Sequence, residues 1–164
     1  MNAAATMWSR YSAKNVTKRE LSALKTALAI GHLLNRVVIL PRFHCGLAHT
    51  ECPLNSLIHI KTFDSVFSGQ YRENSFLRHP KVPDSVKQGV TDLHINQTSS
   101  TLLSGADIVR LFSGESARVI NLNDELLRVG IDMGDGSFDH RFSSKMRSAF
   151  RPCSYRQFCW SSTF

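Results

Sequence analysis

The sequence predicts an α/β fold, a Rossmann-like layered sandwich with a mainly parallel sheet, and three observations carry that expectation. An amphipathic helical stretch leads directly into a β-branched run over residues 17–41, and the same order returns over 104–122 with different residues. Both runs, "RVVILP" at 36–41 and "ARVINL" at 117–122, are apolar on both faces. A strand of that kind needs cover on each side, and a helix feeding it is the α-to-β half of a parallel layer.

Taken in order, residues 1–16 are expected to form a flexible N-terminal segment and 17–164 a single α/β domain. Thr17 and Glu20 have capping-box spacing, so a helix is predicted to start there. Leu21, Leu24, Leu28 and Leu33/Leu34 line one face of it, and Asn35 stops it. "RVVILP" follows as a strand that Pro41 ends. The middle section, from "CPLNSLIHIKTFDSVFSGQ" through "YRENSFLRHPKVP" to the Ser/Thr/Asn-rich stretch near 96–101, reads mainly as loops. Pro80 and Pro83 break helices there, with one short helical turn over 84–89. Ser104 and Asp107 again have capping-box spacing, and Ile108, Val109, Leu111 and Phe112 follow before Gly114. "ARVINL" is the second strand. Finally, Phe142, Met146 and Phe150 recur every four residues, which predicts an amphipathic helix that Pro152 ends.

Composition narrows the function classes. At 164 residues, 42% of them hydrophobic and 20% charged, the chain can bury one modest core. Twenty basic against thirteen acidic residues leave a net charge of +7, with both ends basic and residues 111–138 acidic. That balance suits nucleic acid, anionic headgroups or phosphate-bearing small molecules. No sustained Lys/Arg run is present, so nucleic acid is not an expected partner. No apolar run approaches the ~18 residues that a membrane span needs. The N-terminal stretch lacks the apolar core of a signal peptide, so no span or targeting signal is expected.

The four cysteines fall in two close pairs, Cys45 with Cys52 and Cys153 with Cys159. Four cysteines allow three connectivities; a local Cys45–Cys52 bridge would contribute about 2–3 kcal/mol. The alternative is four reduced thiols, some of them simply buried. Asn15-Val16-Thr17 and Asn96-Gln97-Thr98 are glycosylation sequons, compatible with the oxidising compartment that disulfides imply. Lumenal features without a lumenal address lead to the expectation that residue 1 is not the ancestral start.

Ligands of open α/β sheets bind beyond the carboxyl ends of the strands, which is where Arg42 and His44 follow "VVIL". Arg42 suits a phosphate, and His44 a sugar hydroxyl or a base role. The competing reading has Pro41 ending the strand, Phe43 packing and Arg42 solvated. His44, Cys45, His49 and Cys52 are zinc-ligand types, but their spacing fits no zinc template and a disulfide is preferred. Arg72 beside Glu73 offers a cation for a diphosphate and a carboxylate base; an exposed ion pair between them is the simpler expectation. Asp132, Asp135 and Asp139 lie among glycines without the order of an EF-hand, so they read as an acidic turn rather than a cation loop.

"ALKTALAIGHLLNRVVILPRFHCG", "ECPLNSLIHI" and "YRENSFLRHPKVP" together resemble the later part of the nucleotide-diphospho-sugar transferase family, which includes plant arabinosyltransferases of the Golgi. The matching features are Leu40, Pro41 and Cys45, then Cys52, Pro53 and Leu54, then Arg72, Glu73, Ser75, Phe76, Leu77 and Pro80. "YRQFCW" is similar to the family's ending. The resemblance covers roughly residues 20–83 and, weakly, the tail; the helix followed by "NRVVILP" is shared with protein O-fucosyltransferases. It implies a Golgi-lumenal enzyme that moves a sugar from a nucleotide diphosphate to a glycan or protein hydroxyl, usually with Mn²⁺. The family's Asp-x-Asp carboxylates have no counterpart in these 164 residues. The expectation is therefore the C-terminal part of an incomplete glycosyltransferase domain, or a non-catalytic binding module derived from one. Within it, Glu73 and His44 are the catalytic candidates and Arg42 and Arg72 the substrate-binding ones.

Overall fold

The computed structural model describes residues 3–45, 50–93, 102–122 and 124–150, without the side chains of 3–17, 44, 45, 50, 52, 56, 93, 124, 125 and 128. The chain starts with α1 (Ala3–Leu33), β1 (Val38–Ile39), β2 (Phe43–Cys45), β3 (Thr50–Cys52) and a 3-10 turn at Leu54–Ser56. It continues through α2 (Ile60–Phe67), β4 (Tyr71–Arg72), a second 3-10 turn at Phe76–Arg78, α3 (Asp84–Lys87) and β5 (Val90–Leu93). Then come α4 (Gly105–Phe112), β6 (Val119–Leu122), α5 (Asp124–Val129) and α6 (His140–Ala149). β1 pairs with β4 and β5 with β6, both in parallel, while β2 and β3 form an antiparallel hairpin. Mixed helix and strand with short parallel pairs is α/β organisation in the broad sense. The described strands form three two-stranded sheets.

Helix α1 begins well before Thr17, so the Thr17/Glu20 pair lies inside it rather than at its start. The preceding residues contain neither glycine nor proline and include three consecutive alanines, which favour continuation. Its end follows the expected residue. Asn35 adopts φ 50, its N–H donates to the His32 carbonyl at 3.2 Å, and the Arg36 N–H donates to the Gly31 carbonyl at 2.8 Å. Those two bonds with a left-handed residue between them are a Schellman cap. A Cβ on Gly31 would lie 2.6 Å from Val38 Cγ2, so glycine lets β1 fold back against the helix end.

The chain divides into two compact units. The first gathers the described residues of Met1–Leu21, Arg42–Ser68 and His140–Phe164. Its core is aromatic: Phe63 and Phe67 are fully buried on α2, Phe142 and Met146 on α6. Phe63 meets Phe67 at a ring distance of 5.1 Å and Phe150 edge-on at 6.0 Å, and Phe67 meets Phe142 at 6.4 Å. α6 is thus the amphipathic helix that its four-residue period predicts. α2 replaces part of the expected loop region. His59 caps it, its Nδ1 accepting the Thr62 N–H at 3.4 Å, and Phe63 and Phe67 are four apart on one face.

The second unit holds Ser22–Pro41 and Gly69–Asp139. Ile30, Leu103, Ile108, Phe112 and Leu126 form its buried cluster, with Leu33, Leu34, Leu111, Ile120, Leu122, Val129 and Ile131 packed around them. β5, α4 and β6 make a strand–helix–strand unit with parallel register from Val90↔Val119 to Leu93↔Leu122. Arg36 braces it: Nη1 donates to the Ala117 carbonyl at 2.6 Å and Nη2 to that of Glu115 at 3.1 Å.

The two β-branched runs are shorter and more open than expected. Val38 and Ile39 are half-buried, Val37 is 49% exposed, and β6 is half-buried with Asn121 exposed. Each run has one described neighbour strand.

Candidate functional site

The parallel pairing of β1 with β4 places two strand ends side by side in the second unit. Val38 pairs with Tyr71 and Ile39 with Arg72; the Leu40 N–H then donates to the Arg72 carbonyl at 2.9 Å. Leu40-Pro41 and Glu73-Asn74 therefore leave the ladder at one common end, the edge where ligands of parallel sheets bind. Asn74 joins the two exits, its Nδ2 donating to the Leu40 carbonyl at 3.3 Å. Its Oδ1 accepts from Arg78 Nη2 at 3.2 Å.

A run of tight turns holds this lip in shape. The Phe76 N–H donates to the Glu73 carbonyl, that of Arg78 to Ser75, that of His79 to Phe76 and that of Val82 to His79, all within 3.0 Å. Val82, 7% exposed, anchors the end of the run. The Lys81 N–H donates to His79 Nδ1 at 3.2 Å. Arg72, Glu73, Arg78, His79 and Lys81 are exposed around this stretch.

The expected ion pair between Arg72 and Glu73 is not formed. Arg72 Nη1 donates instead to the Tyr71 carbonyl at 2.8 Å. Arg42–Glu51, Lys87–Asp84 and Arg110–Asp107 form ion pairs, and among the described residues neither Arg72 nor Arg78 takes part in one. The lip thus presents two guanidiniums without a carboxylate partner among the described residues, next to one exposed carboxylate, Glu73. Adjacent residues on an extended segment point to opposite sides, which accounts for the missing pair.

Arg42 and His44 belong to the first unit. Arg42 is exposed and its Nη1 lies 2.6 Å from Glu51 Oε1. His44 lies on β2 in register with Glu51; its side chain is outside the described set. In the hairpin, Cys45 is opposite Thr50 and Cys52 opposite Phe43 in the backbone register. The side chains of Cys45 and Cys52, and Cys153 and Cys159 altogether, lie outside the described residues. Asn96 does too, while Asn15 falls within α1.

The acidic turn is a structural clasp. Asp135 Oδ2 accepts the Gly105 N–H at the first turn of α4 at 2.5 Å and the Ser137 hydroxyl at 3.0 Å, and Oδ1 accepts the Ser137 N–H at 2.9 Å. These bonds, the Ser137 and Gly105 amides foremost, hold its carboxyl below the ordinary aspartate value. A Cβ on Gly105 would collide with Ser137, so only glycine admits the turn this closely. Asp107 completes the predicted capping box: its N–H donates to Ser104 Oγ at 3.1 Å, and its Oδ2 accepts the Ser104 hydroxyl at 2.7 Å. The Ser104 hydroxyl, followed by the Ser104 amide, lowers its pKa. Beside the clasp, Leu33, Ala106, Val109, Arg110, Ser113 and Ser137 line an open groove of about 470 Å³.

Asn74, Arg78 and Asp135 carry geometry that sequence reading did not assign. For Asn74 and Arg78 the available signal was their four-residue spacing across a turn; for Asp135 it was an Asx-type Asp-Gly-Ser. Mn²⁺, which the resemblance implies, calls for clustered carboxylates. No group of three His, Cys, Asp or Glu able to hold a metal is found among the described residues, so these residues do not fit the ion. No helix among them is long and apolar enough to cross a membrane. Comparison with protein-family models, with curated proteins and with solved structures finds no match to the chain.

Proposed function

We propose that the chain is a glycosyltransferase-like protein of Rossmann-like design that binds a nucleotide-diphosphate sugar at the carboxyl ends of β1 and β4. The observation that carries this reading is the lip itself: two parallel strands end together, and the guanidiniums of Arg72 and Arg78 stand there without an ionic partner among the described residues. A diphosphate supplies the missing anionic charge. Glu73, exposed beside them, is the group suited to take the proton of an acceptor hydroxyl. In the transfer, the acceptor oxygen forms a bond to the anomeric carbon as the bond from that carbon to the phosphate oxygen breaks. The electron pair leaves with the nucleoside diphosphate, and the acceptor proton goes to Glu73. The arginines offset the charge that develops on the leaving diphosphate. Arg42 and His44 belong to the first unit and carry no part of this assignment. The sequence resemblance assigns such a protein to the Golgi lumen.

The test is incubation of the full chain with labelled nucleotide-diphosphate sugars and Mn²⁺, with glycan and protein acceptors. Transfer or hydrolysis that Glu73→Gln abolishes is the expected result, and absence of transfer, hydrolysis and binding removes the reading. A second reading, a binding module without catalysis, is favoured by the lack of a described metal-ligand cluster. It predicts saturable nucleotide-sugar binding without turnover.

A further inference from the structure

Among the cations of the lip, one is hydrogen-bonded to a side chain that also reaches the strand edge. Asn74 uses its amide nitrogen on the Leu40 carbonyl, at the end of β1, and its amide oxygen on Arg78 Nη2. The Arg78 guanidinium is thereby tied, through a single amide, to the edge of the parallel pair. The backbone beneath it is equally constrained, because Arg78 ends the 3-10 turn Phe76–Arg78 and a further turn bond, Val82 N–H to the His79 carbonyl, follows it. Asn74 accepts one guanidinium N–H and brings no negative charge, so it orients Arg78 without neutralising it. The contrast with Arg42 and Arg110 is direct, since each of those has a carboxylate within 3.5 Å.

We infer that Arg78 is a phosphate-binding residue of this lip and that Asn74 is its positioning residue, the pair taking the diphosphate moiety of a ligand. This rests on the reading of the lip as the ligand-facing edge. It adds a residue that family likeness does not supply, and it names the anion rather than the sugar. A planar fork that is already oriented loses little freedom on meeting a diphosphate, which favours tight bidentate binding.

The experiment is isothermal titration of the full chain with sodium pyrophosphate, a nucleoside diphosphate and a nucleotide-diphosphate sugar. The variants are Arg78→Gln, Arg78→Lys, Asn74→Ala and the double variant, with Arg110→Gln as a control away from the lip and circular dichroism to confirm folding. Arg78→Gln is expected to weaken pyrophosphate binding by about tenfold. Arg78→Lys, which keeps the charge but not the fork, is expected to fall between. Asn74→Ala is expected to weaken binding, and the double variant to be no weaker than Arg78→Gln, because Asn74 acts through Arg78. Arg110→Gln leaves binding unchanged. The inference is overturned if folded Arg78→Gln binds pyrophosphate like the parent, if the parent binds none, if the two losses simply add, or if Arg110→Gln weakens binding equally. Pyrophosphate bound through Arg78 with no gain for nucleotide sugars sustains the inference and removes the donor-binding reading. Nucleotide sugar bound equally by Arg78→Gln overturns the inference and leaves the donor-binding reading to Arg72.

Discussion

Asn35, Gly31 and Asp135 each sit where a different side chain would meet a defined obstacle. At φ 50, Asn35 occupies backbone space that costs most residues about 1–2 kcal/mol. Asn35→Val should lower stability by that order in urea denaturation, while Asn35→Gly should leave it nearly unchanged. Gly31→Ala places a methyl against Val38 and should cost about 1–3 kcal/mol. Asp135 gives a pH-dependent effect. Its folded carboxyl lies below the ordinary aspartate value of 3.8, so its bonds to Gly105 and Ser137 contribute fully above that pH. The contribution is lost as pH falls through the folded value. Denaturation of the parent and of Asp135→Asn should therefore differ at pH 7 and at pH 5 and converge in stronger acid. A gap that grows on acidification would contradict the clasp.

At the element scale, the helices that formed where expected are those whose signals are local. Ser104 and Asp107 are three apart and close a capping box on each other; Phe142 and Met146 are four apart and share a buried face. α2 carries the same kind of signal in Phe63 and Phe67, obscured by the polar, turn-rich residues around it. Because both phenylalanines are fully buried against α6 and each other, Phe67→Ala should cost about 3–5 kcal/mol. It should also lower amide protection in α2 and α6, which hydrogen exchange would report. A loss below 1 kcal/mol would mean that the ring contacts do not carry this core. The β-branched runs were legible as strands but not as open ones. β1 and β6 have one described partner strand each.

For the molecule as a whole, charge is the property that composition conveys best. The lip's two guanidiniums have no carboxylate partner among the described residues, so diphosphate affinity should fall several-fold as sodium chloride rises from 50 to 200 mM. Calorimetry across that range checks it, and a flat response would exclude an electrostatic site. The arrangement into two units was not legible, because each draws on distant stretches of chain. Of the candidate site, Arg72 and Glu73 could be read from their chemistry. Asn74, Arg78 and the Leu40 carbonyl could not, since their link spans thirty-four residues.

Residue order alone determined the alternation of helix and β-branched run, the stop at Asn35, the box that starts α4, the apolar face of α6 and the basic balance. These depend on capping, periodicity and charge, which act within a turn or two of chain. Tertiary structure decided that β1 pairs with β4 across the thirty-one residues 40–70, that Asp135 closes on Gly105, and that Asn74 ties Arg78 to Leu40. Such contacts form only when the packing of many side chains offsets the entropy of closing long loops, and no short stretch of sequence encodes that balance.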